Sequence, residues 1–262
     1  MGLLDKFRKK EKNKKESKKE LEQFDFKKAF EENLKFISSK EINPKDIEEQ
    51  FVKTNTRYFM TVGEVDLPTG NIVVSDPLCF LQSGNFCPIL DKTVSPGKYP
   101  IEVSICRNKY INIRMCTARL KIKNAKVKRY VLAKSSRSVK DSSKEKTNIA
   151  IFPVDAGIMS FCDEQVAKEY INFLDNWYIE NKNKNIYDDY FAKLFYDSYM
   201  KYPAFQRKDG DFLEWENPNT NNKMVMIASG LGDGLYQCYL GYDKDNEICE
   251  VIVPMLNPNL FE

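Results

Sequence analysis

Histidine is absent from the 262 residues. That excludes Ser-His-Asp and Cys-His nucleophile activation, HExxH zinc sites and imidazole proton shuttles. Any catalysis must rest on carboxylates, Lys, Tyr, Cys or a bound cofactor, and the sequence assigns no cofactor. A Gly-Lys-Ser/Thr phosphate loop is missing too. No apolar run reaches 18 residues, which argues against a membrane-crossing helix. The charged start has no apolar segment after it, so the cytoplasm is the expected compartment. The seven cysteines, at 79, 87, 106, 116, 162, 238 and 249, contain no CxxC pair. Most lie in apolar runs, where a thiol acts as a small hydrophobe. Free thiols in a reducing compartment are expected, with no metal site.

What is present can fill a core: 42% hydrophobic and 13% aromatic residues. The net charge of +3 hides a division. Residues 1–19 carry nine of the 41 basic and three of the 38 acidic residues, a net of +6, which leaves −3 on the remainder. The body is not a basic nucleic-acid binder, and no specific nucleic-acid signal is present. Residues 1–19 read as a basic, solvated leader. Leu3, Leu4 and Phe7 could give it a weak contact with an anionic membrane surface. Myristoylation of Gly2 would want Ser or Thr at position 6, which is Lys6.

Three regions are expected: the leader 1–19, a helical segment 20–56 and a β-rich core 57–262. Phe26, Ala29, Phe30, Leu34 and Ile37 recur at helical spacing, which predicts a helix over Glu20 to Ser38. Asn43-Pro44 starts a second. Strands are expected over Tyr58–Leu67, Asn71–Ser75, Tyr99–Cys106, Tyr110–Ile122, Lys126–Ala133 and Ile149–Val154. Ser95-Pro96-Gly97-Lys98 suits a type II turn. Lys134–Asn148 is a polar loop whose basic residues lack interleaved aromatics. Asp163 caps a helix over Glu164–Ile179, and a second helix covers Ile186–Met200. Met224–Ile227, Leu235–Leu240 and Ile248–Val253 then read as a meander. The expected fold class is α+β. Mostly antiparallel, sandwich-like sheets carry a helical pair inserted before a C-terminal three-stranded meander, with N-terminal helices in addition.

Four segments, in one order, resemble a bacterial family known as domain of unknown function 4241. They are Gly63-Glu64-Val65-Asp66-Leu67-Pro68-Thr69-Gly70-Asn71-Ile72-Val73-Val74-Ser75-Asp76-Pro77-Leu78, Val94 to Val103, Val154-Asp155-Ala156-Gly157 with Phe161-Cys162-Asp163, and Ser229 to Gly234 with Tyr239 to Asp243. The resemblance spans Arg57 to Pro254. It implies a family and no activity, and it carries no catalytic residues across.

The candidate site residues are Asp76, Asp155, Asp163, Gly232, Asp233 and Gly234. Gly230-Leu231-Gly232-Asp233-Gly234 is GxGxG rather than GxGxxG and precedes no helix, so the dinucleotide fingerprint does not apply. Its glycines serve a tight connection through positive φ, or else form a backbone nest for an anion. Asp243-Lys244-Asp245-Asn246 lacks the glycine of a calcium loop, having Ile248 in its place. The four aspartates suit turns and a cap. Brought together, they could hold a divalent cation or act as an acid/base pair. The expected function is non-catalytic binding of a protein partner, of an immunity or defence type. The alternative is a carboxylate- or divalent-metal-dependent hydrolase acting on a small molecule.

Overall fold

The computed structural model describes residues 24–83, 87–136 and 148–261. The leader 1–19 and most of the 134–148 loop lie outside the described residues.

The first helix, α1, covers Phe26–Ile37, and residues 20–23 of the expected span lie outside the described residues. Phe24 and Asp25 are not helical, because the Asp25 carboxylate caps the helix by accepting the Lys28 N–H at 2.9 Å. Helix α2 (Pro44–Gln50) is capped by Asn43 in the same way, with Pro44 in its first turn.

The strands are β1 (Arg57–Leu67), β2 (Asn71–Ser75), β3 (Ile89–Thr93), β4 (Gly97–Asn108), β5 (Asn112–Lys121), β6 (Arg129–Leu132), β7 (Ile151–Val154) and β8 (Ile158–Asp163). Helix α3 (Glu164–Glu180) follows. A π-helical turn at Tyr187–Phe191 then runs into α4 (Ala192–Lys201). The chain ends with β9 (Phe212–Glu216), β10 (Lys223–Ala228), β11 (Gly234–Gln237), β12 (Tyr239–Tyr242) and β13 (Ile248–Pro254).

Two antiparallel sheets dominate, ordered β1-β4-β5-β13-β12-β6 and β3-β2-β8-β10-β9, with a separate β7–β11 pair. The fold is α+β and rich in antiparallel sheet. The expected C-terminal meander is divided: β10 joins the five-stranded sheet, β11 pairs with β7, and β12–β13 is a hairpin of the six-stranded sheet. Gly230 and Gly232, at φ +54° and +112°, let the chain leave one sheet for another. The type II turn at Ser95–Lys98 is not formed. Gly97 lacks the positive φ that such a turn needs and instead opens β4.

Alternation of side chains explains the layering. On β2, Ile72 and Val74 face the six-stranded sheet, while Val73 faces the helices. On β8, Met159 and Phe161 point inward to the sandwich and Cys162 outward; on β10, Val225 and Ile227 point inward and Met224 and Met226 outward. The five-stranded sheet is thus buried on both faces. β2 and β10 carry continuous apolar runs, and β8, with Ser160 and Asp163 buried among its apolar residues, shows no alternation by which the sequence would reveal it. The helix-side core is aromatic: Trp215 lies 5.2 Å from Tyr170, edge-on, and 5.1 Å from Phe173. Each such side chain stabilises the fold by about 2–3 kcal/mol through burial. On the far face of the six-stranded sheet, Ile47 of α2 and Phe51 just after it pack onto Tyr239 and Ile252. There α1 packs Ala29 beside Cys106 and Cys116. The order of layers is helices, sheet, sheet, helices.

Candidate functional site

Register decides which aspartates meet. In the β2–β8 ladder Ile72 pairs with Asp163 and Ser75 with Ser160. Asp163 therefore lies at one end and Asp76 at the other, about 13 Å apart at 3.3 Å per residue. In the β7–β11 ladder Val154 pairs with Gly234. One step further, Asp155 stands opposite Asp233, beyond the last bonded pair. Asp76 sits under this pair, its Oδ2 accepting the backbone N–H groups of Asp155 and Ala156 at 2.9 and 2.8 Å. Asp76, Asp155 and Asp233 converge, and Asp163 does not.

The two buried members serve the backbone. Besides those two bonds, Asp76 Oδ1 accepts from the N–H groups of Leu78 and Cys79 at 2.8 and 3.1 Å. Asp163 caps α3 through the Gln165 N–H at 2.8 Å and also accepts from the Thr69 hydroxyl and N–H. Asp155 and Asp233 are exposed. Together with Asp76 they raise the thiol of exposed Cys79 to about 11, burial of the sulfur itself being the larger cause. Among the described residues no group of three or more Cys, Asp or Glu side chains is placed to hold a metal ion.

The glycine loop is braced from below. Ser229 donates its N–H to Gly157 O at 2.9 Å and its hydroxyl to Gly232 O at 2.8 Å. The buried Tyr236 hydroxyl lies 2.9 Å from Ser229 O and 2.7 Å from Gly232 O. Gly232 carries positive φ, as the structural reading of the loop expects, whereas Gly234 has no positive φ and simply opens β11. A Cβ added at Gly232 would meet nothing within 4 Å. The residue borders a cavity of about 290 Å³, shared with Arg114, Gly157, Tyr187, Arg207 and Asp209.

The cavity arginines were invisible to motif reading. Arg114 is one of three basic residues of β5, with Arg119 and Lys121, and nothing in the sequence sets it apart from them. Arg207 sits in a loop that shows nothing but its charge. The structure brings them together: Arg114 is half-buried, and its guanidinium is made less basic by burial and then by the nearby charge of Arg207. Arg207 binds Asp211 through Nε and Nη2 at 2.7 and 2.6 Å. Arg114 makes no ion pair among the described residues, and its Nη1 donates to Ile113 O at 2.9 Å.

A family model described as "Protein of unknown function (DUF4241)" matches residues 65–253, more than two thirds of the chain. No curated protein and no solved structure matches it. No helix among the described residues is long and apolar enough to cross a membrane.

Proposed function

The chain belongs to the DUF4241 family, whose description assigns no activity, and we propose that it is a non-catalytic binding protein of the bacterial cytoplasm that holds a protein partner. The observation that carries this reading is the outer face of α1. Phe26, Phe30 and Leu34 recur every fourth residue and are 44%, 47% and 45% exposed, while Ala29, Asn33 and Ile37 on the opposite face are buried. Three large apolar side chains in one line form a helix face suited to a groove or a second helix. Lysines 27, 28 and 35 alternate with Glu31 and Glu32 around it. A rim of both signs suits a protein better than an anionic lipid surface, which would favour a uniformly basic rim. The carboxylates of Asp76 and Asp163 are engaged by backbone N–H groups, which also favours binding over catalysis. An immunity or defence role, in which the acidic body meets a basic partner, is the specific form we propose.

The test is a photocrosslinking amino acid at position 30 of the full chain in its native cell. We expect one protein adduct whose purified component binds the wild type and binds Leu34→Asp at least about tenfold more weakly. Adducts to lipid only, or flotation with anionic vesicles that Leu34→Asp abolishes, would replace the partner with a membrane. Turnover of a metabolite from a broad panel would make the protein an enzyme.

One observation favours the hydrolase alternative: Asp155 and Asp233 stand opposite each other beside Asp76. If they hold a divalent ion, Mg²⁺, Mn²⁺ or Ca²⁺ raises the melting temperature and Asp233→Asn removes that rise. Failure of all three ions disposes of it.

A further inference from the structure

We propose that the cavity between Arg114, Arg207 and the Gly230–Gly232 loop is a binding site for the oxyanion end of a small ligand, a phosphate or a carboxylate. The site is distinct from the α1 face and does not rest on the partner reading.

A half-buried guanidinium ordinarily has a carboxylate beside it, since removing its charge from water is costly. Arg114 makes no ion pair among the described residues: the carboxylate that acts on it, Asp211, is bound to Arg207, the other charge acting on it is the Arg207 guanidinium itself, and its Nη1 donates to the carbonyl of the preceding residue. Two cations facing one cavity repel each other, and an anion between them relieves that repulsion. Arg207 cannot turn away. Its Nε and Nη2 are fixed on Asp211, a residue 1% exposed whose own N–H is held by Gln206 Oε1 at 2.7 Å. The remaining guanidinium N–H groups keep a set direction, and such a planar fork suits bidentate contact with phosphate or carboxylate.

The opposite wall consists of backbone. Gly232 leaves open space where a side chain would stand, and at Gly157 a Cβ would meet only Asp233 Oδ1 and Gly232 Cα, both at 3.9 Å. A ligand can therefore lie close against main-chain atoms; the Gly230 and Gly232 N–H groups are given to Ala228 O and Ser229 O at 3.1 and 2.7 Å, so the loop supplies room and the arginines supply the donors. The loop is already braced by Ser229 and Tyr236, so little ordering is needed on binding. The volume, about 290 Å³, admits a small metabolite and not a polymer.

Asp209 sets the polarity of the ligand. It borders the same cavity, and its charge acts on Tyr187, whose hydroxyl is raised by burial first and by Asp209 next. Asp188 and Asp211 add to that negative charge around Tyr187 and Arg207 opposes it, whereas Arg114 stands between burial and the charges of Arg207 and Asp211. The negative end of the ligand sits at Arg114, and the end toward Tyr187 and Asp209 is neutral or cationic.

The experiment titrates the full-length protein with inorganic phosphate and, separately, with acetate, with ionic strength held constant by chloride. It follows backbone amide shifts and melting temperature. Saturable shifts centred on Gly157, Gly230 and Gly232, in at least one arm, are expected. The arm with the lower Kd identifies the oxyanion. Arg114→Gln should weaken binding about tenfold or more, Arg114→Lys less, and the remote Arg129→Gln not at all. Absence of saturable shifts in both arms on the wild type overturns the proposal, and this reading does not depend on any variant folding. Equal affinity in a folded Arg114→Gln overturns it as well.

Discussion

Asp163 shows how a side chain chosen for one local task acquires another. As an N-cap alone its loss would cost about 1 kcal/mol. It also accepts from the hydroxyl and N–H of Thr69, 94 residues earlier, and so ties the β1–β2 turn to the start of α3. Asp163→Ala should therefore cost about 2–3 kcal/mol in urea unfolding, and Thr69→Ala in the Asp163→Ala background should add almost nothing. The cap was readable in the sequence, because Asp before an apolar-periodic stretch is a local signal. The Thr69 bond was not, since it depends on the register of β2 against β8. Cys79 makes the complementary case. With its thiol raised to about 11 by burial and by Asp76, Asp155 and Asp233, roughly one molecule in a thousand carries the thiolate at pH 8. Alkylation of Cys79 by iodoacetamide, followed by mass spectrometry, should be about a hundredfold or more slower than for an ordinary exposed thiol. The rate should climb about tenfold per pH unit toward pH 11 and rise when Asp155 becomes Asn.

Helix α1 is held by a two-way clamp in addition to its buried Ala29 and Ile37. Buried Asn33 accepts the Asn257 N–H at 2.8 Å and donates to Met255 O at 3.4 Å. Asn33→Ala leaves both unpartnered in a buried setting and should lower stability by about 1–3 kcal/mol in thermal unfolding. The β12–β13 hairpin is fixed by Asp243. Its carboxylate is pushed down from the ordinary 3.8 to about 2, first by the hydrogen bond from Lys123 and then by the N–H groups of Glu247 and Asp245. A depressed carboxylate contributes its stability above the unfolded value and loses it as pH falls through the folded one. The melting temperature should thus drop between about pH 4 and pH 2, and Asp243→Asn should flatten that drop. Helix positions and most strands followed from periodicity, since apolar spacing is a property of the element itself. Partnership did not. Met224–Ile227, Leu235–Leu240 and Ile248–Val253 looked like neighbours because turns separate them, yet each side of the glycine loop answers to a different sheet. The short β9, with Glu214 and Glu216 alternating among apolar residues, lies in a loop-rich stretch whose turn signals obscure it in the sequence.

The whole molecule shares one central layer. The five-stranded sheet lines both the sandwich core and the helix-side core, so neither can melt while the other persists. Both tryptophans, Trp177 and Trp215, belong to the helix side. Their fluorescence and the far-ultraviolet circular dichroism should therefore give one coincident unfolding midpoint, and two separated midpoints would show that the layers are independent. The cavity lay beyond sequence reasoning at this scale, because its walls come from β5, the β7–β8 turn, the loop after α4 and the loop after β10. The clasp between the sheets spans the same distances: Lys223 donates its N–H to Asp66 at 2.9 Å, and Glu64 donates its own to Glu214 at 2.7 Å. During synthesis on the ribosome, β1, β4 and β5 emerge long before those partners. The nascent chain carries a sheet whose apolar face is only partly covered, by β2 and β8, until residues 212–228 leave the exit tunnel, and that interval is when it most needs a chaperone.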